Sequence, residues 1–166
     1  MSLSLSTLEV DAFHFWIGVV TPDFTKIVSG HANGVIKVWD LENGQELLTF
    51  FSSNSMVNCL VVTSDAQKII FADFDIINVW NLENGQELLA FSSNSMVNCL
   101  GVTFDGTKIV SGHINGVIKV WHLDRGECLY TFINDTPITA IVISPDGKKV
   151  IAGDEAGRLH FLELIV

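Results

Sequence analysis

A tryptophan returns every 41 residues along this chain. Trp39, Trp80 and Trp121 are evenly spaced, and one further step lands on Leu162, within strings reading VWDL, VWNL, VWHL and FLEL. A second marker runs upstream in the same register: Asp23, Asp65, Asp105 and Asp146 stand in TPDFTKIV, TSDAQKII, TFDGTKIV and SPDGKKVI. The string SSNSMVNCL occurs identically at 52–60 and 92–100. KIVSGHANGVIKVW from Lys26 differs from KIVSGHINGVIKVW from Lys108 only at Ala32 versus Ile114. Copies this alike occupy equivalent environments, as stacked modules do, so the 166 residues read as four copies of one unit.

Each unit reads as four short strands. In the third copy these are 97–103, 108–112, 117–123 and 128–132, rich in Val, Ile, Phe and Thr, which suit a pleated, half-buried surface. Asp105-Gly106, Asn115-Gly116 and Arg125-Gly126 fall between them and supply residues that tolerate positive φ, the requirement of tight hairpins. LENGQELL from Leu41 holds helix formers, but Gly44 interrupts it and it is short, so a hairpin is expected there too.

A four-stranded, 41-residue unit whose third strand ends in Val-Trp-Asp resembles the WD-repeat (WD40) family of β-propellers. The likeness runs from about Ala12 to Leu164 and rests on the period, the PDG-type turn, the SGH-x-NG segment and the VWDL string recurring in order. It implies an all-β propeller with blades at roughly 12–50, 51–91, 92–132 and 133–166. The family's His-Ser-Trp-Asp hydrogen-bond network is not expected intact, because Ser52-Ser53, Ser92-Ser93 and Ile133-Asn134 stand where a Gly-His pair is common. What remains is Ser29 with Trp39 and Ser111 with Trp121. Phe71 and Ala152 replace the serine, Leu162 replaces the last tryptophan, and the second copy loses a residue in its central turn at Phe74-Asp75. Blades two and four are therefore expected to be irregular.

The copy number sets a geometric problem. In WD-repeat rings each blade turns the chain by about 45–50°, so four blades complete about half a circle and leave apolar faces at both ends. Two copies related by a two-fold axis close the turn, and an eight-bladed homodimer is expected. Val166 follows directly on the third strand of the last copy, while residues 2–8 alternate Leu3 and Leu5 with serines, a period-2 pattern suited to an edge strand. Residues 2–8 are thus expected to close the last blade of the partner, with Leu3, Leu5, Leu8, Phe161 and Leu162 at the closure. The alternatives are a compressed four-bladed monomer at about 90° per blade and a fragment of a longer protein.

Charge limits the partners. Nine Lys+Arg against 19 Asp+Glu give a net charge of −10, and so few scattered cations make no basic footprint for nucleic acid or an anionic membrane. The 48% hydrophobic content is too high for a disordered acidic tail. Every apolar run breaks well short of a membrane span. No Lys or Arg precedes Lys26, so the apolar stretch at 12–20 lacks the charged start of a signal peptide, and a cytoplasmic location is expected. Three cysteines without paired spacing fit reduced thiols.

No phosphate loop, HExxH, CxxC or GxSxG string occurs, and no catalytic residue, cofactor or metal is expected. His31 and His113 occupy equivalent turns and are expected around one face of the ring, too far apart to share an ion. Cys59 and Cys99 alternate with Asn58 and Asn98 and are read as core, and the four turn aspartates as turn formers.

In the family, partner contacts cluster on the face that carries the turns between second and third strands and the entries to first strands. By position that face takes Ala32, Phe74, Ile114 and Glu155 from the turns and His14, Met56, Met96 and Pro137 from the entries, with Trp16, Asn58, Asn98 and Thr139 two residues on. Aromatic and methionine anchors suit protein recognition. The resemblance thus implies a non-enzymatic scaffold for a protein or peptide, with Phe74 the foremost candidate. The rival reading is a small-molecule or catalytic propeller with its site in the central channel.

Overall fold

The computed structural model describes residues 15–52 and 55–164, with the side chains of Phe15 and Trp16 outside the description. The strands follow the repeat. Blade one consists of β1 (Phe15–Val20), β2 (Lys26–His31), β3 (Val35–Asp40) and β4 (Glu46–Phe51). Blade two holds β5 (Val57–Val62), β6 (Lys68–Asp73), β7 (Ile76–Asn81) and β8 (Glu87–Ser92). Blade three holds β9 (Val97–Val102), β10 (Lys108–His113), β11 (Val117–His122) and β12 (Cys128–Ile133). Blade four has three strands among the described residues, β13 (Ile138–Ile143), β14 (Lys149–Asp154) and β15 (Leu159–Glu163). Every sheet is antiparallel and keeps sequence order.

One carboxylate organises the first turn of each blade. Asp105 Oδ1 accepts from the Thr103 hydroxyl at 2.6 Å, the Thr107 hydroxyl at 2.9 Å and the Thr107 amide at 3.0 Å. Asp23, Asp65 and Asp146 take the same position with Thr21, Thr63 and Ser144. These hydroxyl donors hold all four carboxyls below the usual range. The next residue lies in the left-handed region, which Gly106 and Gly147 adopt at little steric cost and Phe24 and Ala66 adopt at φ 58° and 56°.

The blades meet face to face. Val28, Ile36, Val38 and Phe50 of blade one pack on Leu60, Ile69, Phe71 and Trp80 of blade two. Cys59, Ile70, Ile77 and Val79 then pack on Leu100, Ile109 and Trp121 of blade three, and Val110, Ile118 and Val120 on Ile141, Val150 and Ala152 of blade four. The first strands line up along the inside, β1 on β5, β5 on β9 and β9 on β13. No comparable packing joins β13 to β1 among the described residues. Close approach explains the glycine of the SGH string. A Cβ at Gly112 would stand 2.5 Å from Ile138 Cγ2 of the next blade, and one at Gly30 would stand 2.7 Å from Val57 Cγ1.

Candidate binding face

A β-bulge begins every first strand. Opposite β2, β6, β10 and β14, the pairing skips one residue, so Trp16, Asn58, Asn98 and Thr139 fall out of the ladder at the inner rim. Freed from the ladder, Asn58 Nδ2 donates to the Val97 carbonyl of the next blade at 3.3 Å, and Asn98 Nδ2 donates to the Ile138 carbonyl at 3.0 Å. These amides stitch consecutive first strands together. Met56, Asn58, Met96, Asn98 and Thr139 line one open cavity of about 240 Å3. Both methionines are half-buried, so each contributes part of its surface to the rim.

Phe74 and Ile114 reach the same rim through the backbone. The Val97 amide donates to the Phe74 carbonyl at 2.8 Å, and the Ile114 amide donates to the Met96 carbonyl at 3.1 Å. Both side chains point outward, Phe74 61% and Ile114 48% exposed, and neither lines the cavity itself. The shortened turn makes Phe74 prominent. Asp73 pairs directly with Ile76, and Phe74 between them holds φ 58°, a conformation that costs a bulky residue about 1–3 kcal/mol. Trp16 and His14 belong to the same columns, but the Trp16 side chain and all of His14 lie outside the described residues.

The histidines correct the sequence reading. His31 and His113 are 1% and 0% exposed and lie inside their blades, not on the face. There they extend the Ser–Trp pairs that were expected to stand alone. Trp121 Nε1 donates to Ser111 Oγ at 2.8 Å, Ser111 Oγ lies 2.8 Å from His113 Nε2, and His113 Nδ1 lies 3.1 Å from the Ser95 carbonyl. A carbonyl only accepts, so Nδ1 carries the proton and Nε2 of the neutral ring accepts from the serine. Blade one repeats the first steps, Trp39 Nε1 to Ser29 Oγ at 2.9 Å and Ser29 Oγ to His31 Nε2 at 3.0 Å. Histidine at the end of the second strand thus supplies what the family draws from the linker between blades. Burial pushes the His113 pKa below its ordinary value, and Lys119, 5.3 Å from the Trp121 ring, acts in the same direction.

Aspartate takes this position in the even blades. Asp73 accepts from the Ser52 hydroxyl at 3.0 Å and from Asn78 Nδ2 at 3.4 Å. Asp154 accepts from Asn134 Nδ2 at 3.0 Å, Arg158 Nε at 2.8 Å and His160 Nε2 at 2.9 Å. Burial opposes the charge on Asp154, yet these donors hold its pKa well below the carboxylate range. Ser52, Ser95 and Asn134 all belong to the linkers that bring the chain in from the preceding blade. In blades two, three and four one buried polar side chain therefore pins the incoming linker, and with it the rim. Sequence reasoning missed Asp73 and Asp154, although the order His, Asp, His, Asp down one repeat column was the available signal.

Blade two shows the cost of losing the serine. Phe71 stands in its place, tilted against Trp80 with ring centroids 5.8 Å apart, and Trp80 Nε1 is buried without a hydrogen-bond partner. The thiols are inert: burial raises the Cys99 pKa to about 12 and pushes Cys59 further. Cys128 is exposed. Among the described residues no three His, Cys, Asp or Glu side chains gather as a metal cluster, and no helix is long and apolar enough to cross a membrane.

Comparison with known proteins agrees with this architecture. The family model described as WD domain, G-beta repeat matches residues 85–122 and 126–161. No match is found among curated proteins. Among solved structures the chain is similar to the crystal structure of the computationally designed Ika4 protein, with 26% identity and a TM-score of 0.85 over 99% of this chain and 100% of that one. The two matched repeats, with the same period, turn and third-strand marker running through the other copies, support a WD-repeat family for this chain.

Proposed function

We propose that the chain is a non-enzymatic scaffold that binds a protein or peptide on the rim formed by Phe74, Ile114, Met56, Met96, Asn58 and Asn98. WD40 repeats generally mediate protein–protein interaction. The observation that carries the proposal for this chain is Phe74, an aromatic side chain 61% exposed at the rim itself, where its carbonyl accepts from the Val97 amide that opens the next first strand. The described lining of the inner rim is amide, hydroxyl and thioether. Phe74→Ala is expected to weaken capture of binding proteins at least tenfold, whereas Phe24→Ala, on an exposed turn between first and second strands, leaves capture unchanged. Retention of every interaction by the Phe74 variant would rule the surface out.

The ring is proposed to close as an eight-bladed homodimer. On blade four Val142, Leu159 and Phe161 are 62%, 64% and 73% exposed. Their counterparts in the other blades include Ile36, Ile77 and Ile118 for Leu159, and Val38, Val79 and Val120 for Phe161, all buried against the next blade. A fifth blade is what this face is shaped to meet, and burying three such side chains contributes about 5–9 kcal/mol. Light scattering is expected to read twice the 18.2 kDa chain mass. A single chain mass at micromolar concentration would end this reading.

A further inference from the structure

The face opposite the Phe74 rim carries an apolar cavity to which every blade contributes. It opens among the turns between first and second strands and has a volume of about 420 Å3. Pro22 of blade one, Val62 of blade two, Val102 and Phe104 of blade three, and Ile143 and Pro145 of blade four line it. The repeat explains this composition. Thr21, Thr63 and Thr103 are buried, with their hydroxyls committed to the turn aspartates. The residue after each, and after Ser144, stands at the mouth: Pro22, Ser64, Phe104 and Pro145, three of them apolar and exposed. The residue before is Val20, Val62, Val102 or Ile143. Two apolar columns thus converge on one opening.

The hydroxyls in the wall have no proton left for a polar ligand. Ser64 donates to the Phe104 carbonyl at 2.5 Å, Thr103 to Asp105 at 2.6 Å and Ser144 to Asp146 at 2.5 Å. Thr103 and Ser144 also accept from the Lys108 and Lys149 amides at 3.0 and 2.9 Å. A hydroxyl donates once, so covering the cavity with an apolar group strands no donor. Phe104, 69% exposed, offers the largest surface for such a group.

Charge selects the occupant. Asp23, Asp65, Asp105 and Asp146 follow directly on the four mouth residues, one per blade, and all are exposed. Their turn bonds end on Oδ1, which leaves Oδ2 for a further donor. The nearby lysines are engaged elsewhere. Lys26 and Lys108 donate to the Thr25 and Thr107 hydroxyls at 3.3 Å, and Lys68 pairs with Asp124 at 2.7 Å. Among the described residues none of the four carboxylates joins an ion pair. An apolar opening ringed by anions favours a ligand that is apolar at its centre and cationic at its edges. The carboxylates come from successive blades, so an extended chain meets several of them where a small cation meets one.

We infer that this cavity binds a peptide segment whose apolar side chain seats against Phe104 and whose flanking Lys or Arg residues pair with the turn aspartates. The site is separate from the Phe74 rim and needs no ring closure, since a single chain supplies the whole lining. Failure of either reading therefore leaves this one standing, and the reverse holds too.

The test uses the full chain and a fluorescent capped peptide, Arg-Gly-Arg-Gly-Phe-Gly-Arg-Gly-Arg, titrated by anisotropy at low ionic strength. Peptides with serine for the phenylalanine, or glutamate for every arginine, are expected to bind at least about tenfold more weakly, and added salt to weaken the parent peptide. In the protein, Phe104→Ser is expected to weaken binding about tenfold, as is Asp105→Asn combined with Asp146→Asn, which keeps an oxygen acceptor in each turn. Leu47→Ser, on the outer strand of blade one, leaves the affinity unchanged, and urea midpoints verify that each variant is folded. No binding of the parent peptide, equal binding of the serine peptide, or full affinity in a folded Phe104 variant overturns the inference. Equal binding of the glutamate peptide overturns the basic occupant. Phenethylamine binding as tightly as the parent peptide would make the cavity a small-molecule site and overturn the peptide.

Discussion

Trp80 and Trp121 occupy the same position in successive blades, yet their indole N–H groups meet different fates. Trp121 donates to Ser111, whereas Trp80 is buried beside Phe71 with its donor unmatched. An unmatched buried donor costs about 1–3 kcal/mol, and phenylalanine carries no such donor. Trp121→Phe loses packing and breaks the relay, leaving Ser111 short of a donor. Trp80→Phe loses packing but also removes the penalty. The second variant is expected to be less destabilising than the first by about 1–2 kcal/mol in urea unfolding, and equal losses would show that the relay contributes nothing. The serines and tryptophans of this relay were legible as repeat columns in the sequence. The histidine step was not, because the family's histidine was sought in the linkers, while His31 and His113 enter two residues after the serine on the strand itself.

Among the elements, the end of each second strand governs the rim. A linker held by Asp73, His113 or Asp154 fixes where the following first strand begins, and that strand's bulge then delivers Asn58, Asn98 or Thr139 to the inner edge. Protonation disturbs this hold at His113. Its folded pKa lies below the unfolded value of about 6.5, so the unfolded chain takes up the proton first on acidification. Stability from this group is complete above pH 6.5 and declines as pH falls toward the folded pKa. The turn aspartates, with lowered pKa values, add a second loss below about pH 4. Urea midpoints are thus expected to fall in two stages. His113→Gln removes the upper stage and leaves the lower, and an upper stage that survives the substitution would assign it elsewhere. Strand positions were readable from Asp105-Gly106 and Asn115-Gly116 because turn residues act locally. The bulges were not readable, since a skipped residue exists only relative to the partner strand.

For the whole molecule, the question is what covers the outer face of blade four. Phe161 sits at its centre as the counterpart of buried Val38, Val79 and Val120. In the proposed dimer Phe161→Asp replaces a burial gain of about 2–3 kcal/mol with the cost of desolvating a charge, so its dissociation constant is expected to rise at least about a hundredfold. Sedimentation across a concentration series reads that change, and an unaltered dimer would locate the contact elsewhere. The period of 41 made the blade count plain, whereas the exposure of this face follows from three-dimensional stacking and could be anticipated only through the closure argument. The pinning column adds a condition of its own. Histidine and aspartate alternate from blade to blade, and the four blades end on the kind opposite to the one they start with. Blades two and three therefore each border two of the other kind. A closed circle preserves that order only with an even number of blades, because an odd circle would set two of the same kind side by side. The proposed ring of two four-blade chains meets that parity condition.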